Sequence, residues 1–468
     1  CNCYNSPSFQ PKSGRIRQRN FVARPLPPAA QWRALLYNVK PWVKLLCGVL
    51  SPLLLASCIG RGARSEKSGA AGPTINLWYG NEQSFGELGN PQQWVNILGN
   101  VSDPEPVTSL TYSLNGGPPI ALAIGPSTAP PGAPLKSCPQ ARPMTLRERA
   151  HRLRSTCRTE ASFARCIGRH VMGRLIPSLL QQYSSAKFPC RLYEKGDFNV
   201  EVDTEMLRDG SNSVILSASD GLKHRATASV TVTYTRGRVW PRRYSVDWHR
   251  VSRITRAVQV VDGRWTKTSN GLRTMSMGYD RLFALGDVRW TDYEVTVPIT
   301  IHAADGQAAN NPVSGGSPGI GILLHWRGHS FSGFGGIPEC SCWQPRCGAP
   351  PILAAWYDFQ ERKLRIDGAL KGPARVLQLN TPYIWKVRSE TLPRRRAVLY
   401  RMRVWKMGDS EPANWDVQGL GAPDRLTSGS VLFDAHHVDA TFGDISVVPG
   451  PFTDESQNEQ DPRIIGTN

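Results

Sequence analysis

Ala226-Thr227-Ala228-Ser229-Val230-Thr231-Val232-Thr233-Tyr234 sets Val230, Val232 and Tyr234 two apart, with threonines between them. That period puts the valines and the tyrosine on one face and the hydroxyls on the other, the mark of a half-buried strand. β-Branched residues suit a pleated surface, so composition and pattern agree. Working outward, strand-like runs recur at 75–79, 94–101, 107–114, 120–123, 197–203 and 213–219. The separators are turn formers: Asn115-Gly116-Gly117, Asp209-Gly210-Ser211-Asn212 and Asp220-Gly221. Seven short strands at this spacing predict a β-sandwich of about 100 residues, with Trp94 and Phe198 as its core aromatics.

A second set of apolar-aromatic strands follows at 256–262, 271–277, 293–301, 320–326, 354–359, 364–367, 383–389, 398–406, 429–435 and 441–447. So many strands without helical periodicity predict a large antiparallel sandwich, a jelly roll, with Trp326, Trp385 and Trp405 in its core. The chain is therefore expected to be all-β.

The run from Val101-Ser102-Asp103-Pro104 to Gly116 resembles extracellular immunoglobulin-like and cadherin-like modules of bacteria. The later strands resemble the concanavalin A-like lectin/glucanase superfamily, laminin-G-like domains included. Four segments carry that resemblance: Tyr293-Glu294-Val295-Thr296-Val297, Gly319-Ile320-Gly321-Ile322-Leu323-Leu324-His325-Trp326, Tyr400-Arg401-Met402-Arg403-Val404-Trp405 and Phe442-Gly443-Asp444-Ile445-Ser446-Val447. Together they imply an immunoglobulin-like sandwich followed by a concanavalin A-like jelly roll.

Leu55-Ala56-Ser57-Cys58 resembles the lipobox of bacterial lipoproteins. An apolar run from Leu45 to Ser57 precedes it, flanked by Lys40 and Lys44, and is too short to span a bilayer. In that family the cysteine is diacylated and becomes the first residue, which implies a protein anchored by lipid at Cys58 and facing outside the cytoplasm. The expected organisation is a leader and signal peptide at 1–57 and a Gly/Ser/charge-rich tether at 58–73. The first sandwich takes 74–126 and 191–238, split by a basic Cys/Arg-rich insertion at 127–190. The jelly roll takes 239–448, and a polar acidic tail 449–468. Residues 1–38 read as an over-extended start, with Val39 in the place of the initiator.

The formal net charge of +19 suggests nucleic acid until it is located. Residues 1–65 hold ten Lys/Arg and no acid, and residues 135–190 hold eleven Lys/Arg against two Glu. These segments account for the whole surplus, so the sandwiches are close to neutral. A nucleic-acid binder concentrates its cations on the folded face, so that class is set aside. Of the eleven cysteines, only Cys340, Cys342 and Cys347 lie in the body. Their spacing is not that of paired zinc ligands, even with His325 and His329 nearby, and a loop disulfide is the expectation.

The sheet face of such a jelly roll can bind sugar where aromatic faces meet polar groups. The candidate ligand-binding residues are Trp343, His325, Trp356 and Tyr357. Alternation puts His325 and Trp326 on opposite faces, and likewise Trp356 and Tyr357. Calcium is frequent in the superfamily, and Asp434, Asp439 and Asp444 are the acids that would hold it; solubility of an edge strand is their plainer role. His436-His437 reads as a polar bend.

Glu201-Val202-Asp203-Thr204-Glu205 matches the Glu-x-Asp-x-Glu pattern of family-16 glucanases, which put two carboxylates on one strand face for retaining hydrolysis. Here it precedes the jelly roll, so an exposed acidic strand end is expected instead. Glu294, Asp358 and Glu361 are the acids to inspect in the groove. The leading functional expectation is a lipid-anchored surface protein that binds carbohydrate or another extracellular ligand without catalysis. The alternatives are a glycoside hydrolase or lyase, since the 3-keto-disaccharide hydrolase family resembles this fold, and a spacer or adhesin module.

Overall fold

The structure is a computed structural model that describes residues 72–126, 191–308, 317–329, 345–346, 353–366, 370–392, 397–421 and 427–452. The expectations for Cys58, the leader, the insertion, Trp343, the three loop cysteines and the tail fall outside these residues.

Eight strands build the first sandwich: β1 (Thr74–Leu77), β2 (Glu82–Phe85), β3 (Trp94–Ser102), β4 (Val107–Leu114), β5 (Ile120–Ala121), β6 (Asp197–Asp203), β7 (Gly210–Asp220) and β8 (Arg225–Tyr234). They form a sheet ordered β1-β3-β6 and another ordered β2-β8-β7-β4-β5. Alternation decides which face is inside. Val214, Leu216 and Ala218 of β7 and Val230, Val232 and Tyr234 of β8 are buried, while the residues between them are exposed or half-buried. They meet Ile97, Leu110, Tyr112, Phe198 and Val200 in one core. Phe198 is thus the expected core aromatic. Trp94 is buried too, but outside this core.

The second sandwich starts with β9 (Tyr244–Val246), a single 3₁₀ turn (Ile254–Arg256), β10 (Gln259–Asp262), β11 (Trp265–Thr268), β12 (Gly271–Thr274) and β13 (Arg281–Leu285). It continues with β14 (Tyr293–Ala304), β15 (Gly319–Trp326), β16 (Leu353–Asp358), β17 (Lys363–Ile366), β18 (Leu370–Ala374) and β19 (Pro382–Leu392). The last strands are β20 (Ala397–Lys406), β21 (Val417–Leu420), β22 (Ser430–His436), β23 (Val438–Phe442) and β24 (Ile445–Pro449). One sheet of seven runs β10-β13-β22-β15-β16-β17-β18. The other, of nine, runs β11-β12-β23-β14-β19-β20-β21, with β24 and β9 attached. β13, Arg-Leu-Phe-Ala-Leu, lacks alternation because both its faces are buried, which hides it from a period-two reading.

Between these sheets Phe283 stacks on Phe433 at 4.6 Å, and Phe442 and Trp265 pack edge-on against Phe283. Trp385 is fully buried in the same core, while Trp326 and Trp405 are buried on the outward faces of the two sheets.

The two sandwiches meet through buried polar groups. Asn96 of β3 and Asn199 and Glu201 of β6 sit on the outer face of the three-stranded sheet, against β10. Arg191 Nη1 donates to Glu201 Oε1 at 2.8 Å, and its Nε donates to Asp262 Oδ2 at 2.8 Å. Arg346 donates from its backbone N–H to Glu201 Oε2 at 2.7 Å, and its guanidinium lies 3.3 Å from the centre of the Trp94 ring. Asn199 Nδ2 donates to Asp262 Oδ1 at 2.9 Å, and Gln259 Nε2 donates to the Trp94 carbonyl at 2.7 Å. Burial works against the Arg191 charge, but Asp262 and Glu201 outweigh it. Burial, with both arginines beside it, holds His329 well below the usual histidine range and so neutral. Glu201 is therefore not the exposed strand end expected of it. It is 1% exposed, and both its oxygens are taken up by arginines.

Two outcomes follow for denaturant unfolding of the full chain. Phe433→Ala opens a cavity against the rings of Phe283 and Phe442 and should cost about 3–5 kcal/mol. Glu201→Gln leaves two guanidinium groups buried around a neutral amide and should also cost about 3–5 kcal/mol. A Glu201→Gln chain as stable as the parent would refute the junction as described.

Candidate functional site

The outward face of the seven-stranded sheet follows from its inward one. Ile320, Ile322 and Leu324 of β15 and Ala355 and Tyr357 of β16 point into the core. Gly319, Gly321 and Leu323, and across from them Ala354, Trp356 and Asp358, therefore point out. Gly321 pairs with Trp356 and Gly319 with Asp358. A Cβ on Gly319 would come within 2.0 Å of Trp356 Cζ2, and one on Gly321 within 2.7 Å of Cε3. The two glycines thus let the indole lie over β15. Trp356 remains half-buried, so part of the ring is open to solvent.

Beyond β15 lies β22, with Phe433 and Ala435 inward and Asp434 and His436 outward. Asp434 pairs with Gly321 on one side and with Leu282 on the other. The His436 ring stands 6.3 Å from the Trp356 ring and 4.9 Å from that of Tyr279, and its Nδ1 is 2.6 Å from Asp280 Oδ1. Tyr193 of the first sandwich meets His437 edge-on at 5.8 Å. Burial, then the neighbouring Asp280 and Asp262, push the Asp434 carboxyl well above the usual carboxylate range. Its Oδ1 is buried with no hydrogen-bond partner. Burial also pushes Asp262 up to about 7, although Arg191 pulls it down.

On the other flank, Arg365 pairs with Trp356 and reaches Asp358 Oδ2 at 3.0 Å. Asp358 Oδ1 accepts the N–H groups of Gln360 and Glu361, both at 2.9 Å, and Glu361 pairs with Lys371 at 2.8 Å. Glu294 lies on the other sheet, 2.7 Å from Arg388. Of the three acids expected in a groove, Glu294 thus lies apart from Asp358 and Glu361, and each is paired with a cation. On this face Trp356 and Arg365 are half-buried, while Asp434, His436, Asp280 and Asp358 are buried around them.

Trp356 occupies this surface, but two of its fellow candidates do not. His325 lies between the sheets at a β-bulge, with φ 60°; its N–H donates to Tyr293 Oη, and its ring contacts Tyr400 Oη at 3.0 Å and Ser389 Oγ at 3.2 Å. Tyr357 is 2% exposed and donates to the Arg375 carbonyl. Both side chains serve the core, because the polar partners they need are inside it. The three candidate calcium ligands do not converge either. Asp439 is on the nine-stranded sheet, held by Arg273 Nε and Nη2 at 3.0 and 2.7 Å, and Asp444 accepts the Trp248 N–H at 2.9 Å. Asp434 lies on the opposite sheet. Among the described residues no group of three or more His, Cys, Asp or Glu could hold a metal ion. His436-His437 does form the bend between β22 and β23, with His437 at φ 55°, yet the His436 side chain belongs to the Trp356 surface. Asp280 and Tyr279 were not foreseen. The Gly-x-Gly opposite a tryptophan was the signal available.

No family profile matches the chain, and neither does any curated protein. Solved structures with some likeness include the exoplasmic/lumenal domain of VIP36 in a Ca2+/Man3GlcNAc-bound form (11% identity, TM-score 0.25, covering 43% of this chain and 87% of that one). A Bacillus subtilis protein with a galectin-like fold is similar at 14% identity and TM-score 0.26, covering 44% of this chain and 94% of that one. A structure from work on promiscuous carbohydrate-binding modules of the β-sandwich superfamily shows 9% identity and TM-score 0.16, covering 81% of this chain and 97% of that one. Likenesses this distant carry no ligand over to this chain. The all-β sandwich architecture stands on the strand pairing itself.

Proposed function

We propose that the chain is a surface protein that binds glycan, without cleaving it, on the outward face of the seven-stranded sheet around Trp356. The observation that carries this reading is the indole laid over Gly319 and Gly321 with part of its ring open to solvent. A tryptophan needed only to cover the sheet could rest on alanine or valine; two glycines bring it against the backbone and flatten the surface. A flat aromatic face takes the C–H face of a sugar ring. The paired state of Glu294, Asp358 and Glu361 supports binding over cleavage. Export through the lipobox, acylation at Cys58 and an immunoglobulin-like first sandwich that holds the jelly roll off a membrane complete the proposal.

The test is titration of the full chain with a panel of soluble oligosaccharides. Trp356→Ala should cost about 2 kcal/mol, roughly 30-fold in Kd, as loss of a central aromatic anchor does. Glycan affinity unchanged in Trp356→Ala would end this reading.

A further inference from the structure

The solvent-accessible end of the Trp356 face is cationic. On β17 the core takes Leu364 and Ile366, so Lys363 and Arg365 point outward. Arg365 pairs with Trp356 on one side and with Lys371 of β18 on the other, so the three form a row across the sheet. Lys363 pairs with Asp358. The Arg365 guanidinium is tied to the indole through two neighbours. Trp356 Cζ2, Cε2 and Nε1 cover Gly319, Gly319 pairs with Asp358, and Arg365 Nη2 is 3.0 Å from Asp358 Oδ2. These cations meet solvent: the side chains of Arg365 and Lys371 are 26% and 42% exposed, and Lys363 is half-buried.

The fold leaves part of this charge unused. With Arg362 in the turn between β16 and β17, four cations stand against Asp358 and Glu361. The hydrogen bond from Lys371 lowers the Glu361 carboxyl despite some desolvation, and the charges of Lys371, Arg365 and Lys363 lower it further. Among the described residues Arg365 engages Asp358 through one nitrogen, and neither Arg362 nor Lys363 has an ion pair. Placing Arg365 directly opposite Lys371 is unfavourable for the sheet itself. Guarding a sheet edge calls for charge on the edge strand, β18, whereas Lys363 and Arg365 lie one strand in.

Resting on the glycan-binding reading of Trp356, we infer that the saccharide bound there is acidic: its ring stacks on the indole, and its carboxylate or sulfate meets Lys363 and Arg365. Lysine and arginine side chains carry N–H donors and no acceptor, so they suit an anionic oxygen. A guanidinium with N–H groups to spare can hold such an anion in two parallel bonds. A cationic amino sugar would be repelled by the same row.

The experiment compares the full-length parent with Lys363→Gln, Lys363→Arg, a double Lys363→Gln, Arg365→Gln variant and Trp356→Ala. Lys406→Gln, which removes an exposed cation from β20 on the other sheet, is the control for net charge. Each is titrated with oligogalacturonate, a carrageenan oligosaccharide, cellohexaose and mannohexaose, at about 50 mM and about 500 mM NaCl. An acidic sugar should bind about tenfold or more tightly than either neutral one at low salt, and lose most of that preference at high salt. Either acidic sugar alone supports the inference and tells carboxylate from sulfate. Lys363→Gln should weaken acidic binding about fivefold and the double variant about tenfold or more, while Lys363→Arg and Lys406→Gln stay within about twofold. Neutral sugars bound as tightly as acidic ones, with binding lost in Trp356→Ala, overturn the inference and leave the glycan reading standing. So does acidic binding that the double variant keeps, that Lys363→Arg fails to keep, or that Lys406→Gln weakens equally. Acidic binding unchanged in Trp356→Ala, or no binding to any of the sugars, removes both.

Discussion

Glu201 is a carboxylate taken out of water, and the joining of the two sandwiches depends on what surrounds it. An isolated buried carboxylate is prohibitively costly, so it persists only where cations and N–H groups replace its hydration. Arg191 supplies one Glu201 oxygen with a partner and Arg346 the other, and Arg191 passes on to Asp262 at the edge of the second sandwich. Asn199 and Gln259 add neutral hydrogen bonds across the same boundary. Apolar burial alone is non-directional and would let two sheets slide over each other. A carboxylate that must meet two arginines in one geometry does not slide, so it sets the position of the first sandwich over β10.

That position decides which part of the seven-stranded sheet is accessible. Outward groups near β10 are closed off: Asp262 is 1% exposed and Leu282 is 2% exposed. Four and five strands further on, at β16 and β17, Trp356 and Arg365 are half-buried. The first sandwich acts as one wall of the surface, with Tyr193 set against His437 at its margin.

Much of this was legible in local pattern. Alternation alone separates Trp356 from Tyr357, and the structure puts the first outward and the second in the core. The same rule separates His325 from Trp326. What alternation does not supply is which face meets a partner, and there His325 was misassigned. Its ring is satisfied by Tyr400, 75 residues away, and by Ser389, 64 residues away. Glu201 shows the same limit. Its strand reads as an acidic end because its cations come from segments whose approach only the folded topology creates; Arg346 is 145 residues distant. The outward side of β22 was hidden for a related reason. Asp434 looks like one more acid among three until the register places it opposite Gly321 and two strands from a tryptophan.

The acids of this chain thus divide by how they are neutralised. Glu201, Glu294, Asp358 and Asp439 all have cations in contact, and each sits where the fold needs a fixed point. Asp434 is neutralised by no cation; burial and two neighbouring carboxyls favour its protonated form instead. A protonated acid in an apolar cluster adds neither packing nor an ion pair, and natural sequences carry such groups mainly where stability is exchanged for function. The junction makes that exchange tolerable. Arg191 offsets the charge of Asp262, so the row of acids crossing the sheet carries less repulsion than its composition suggests.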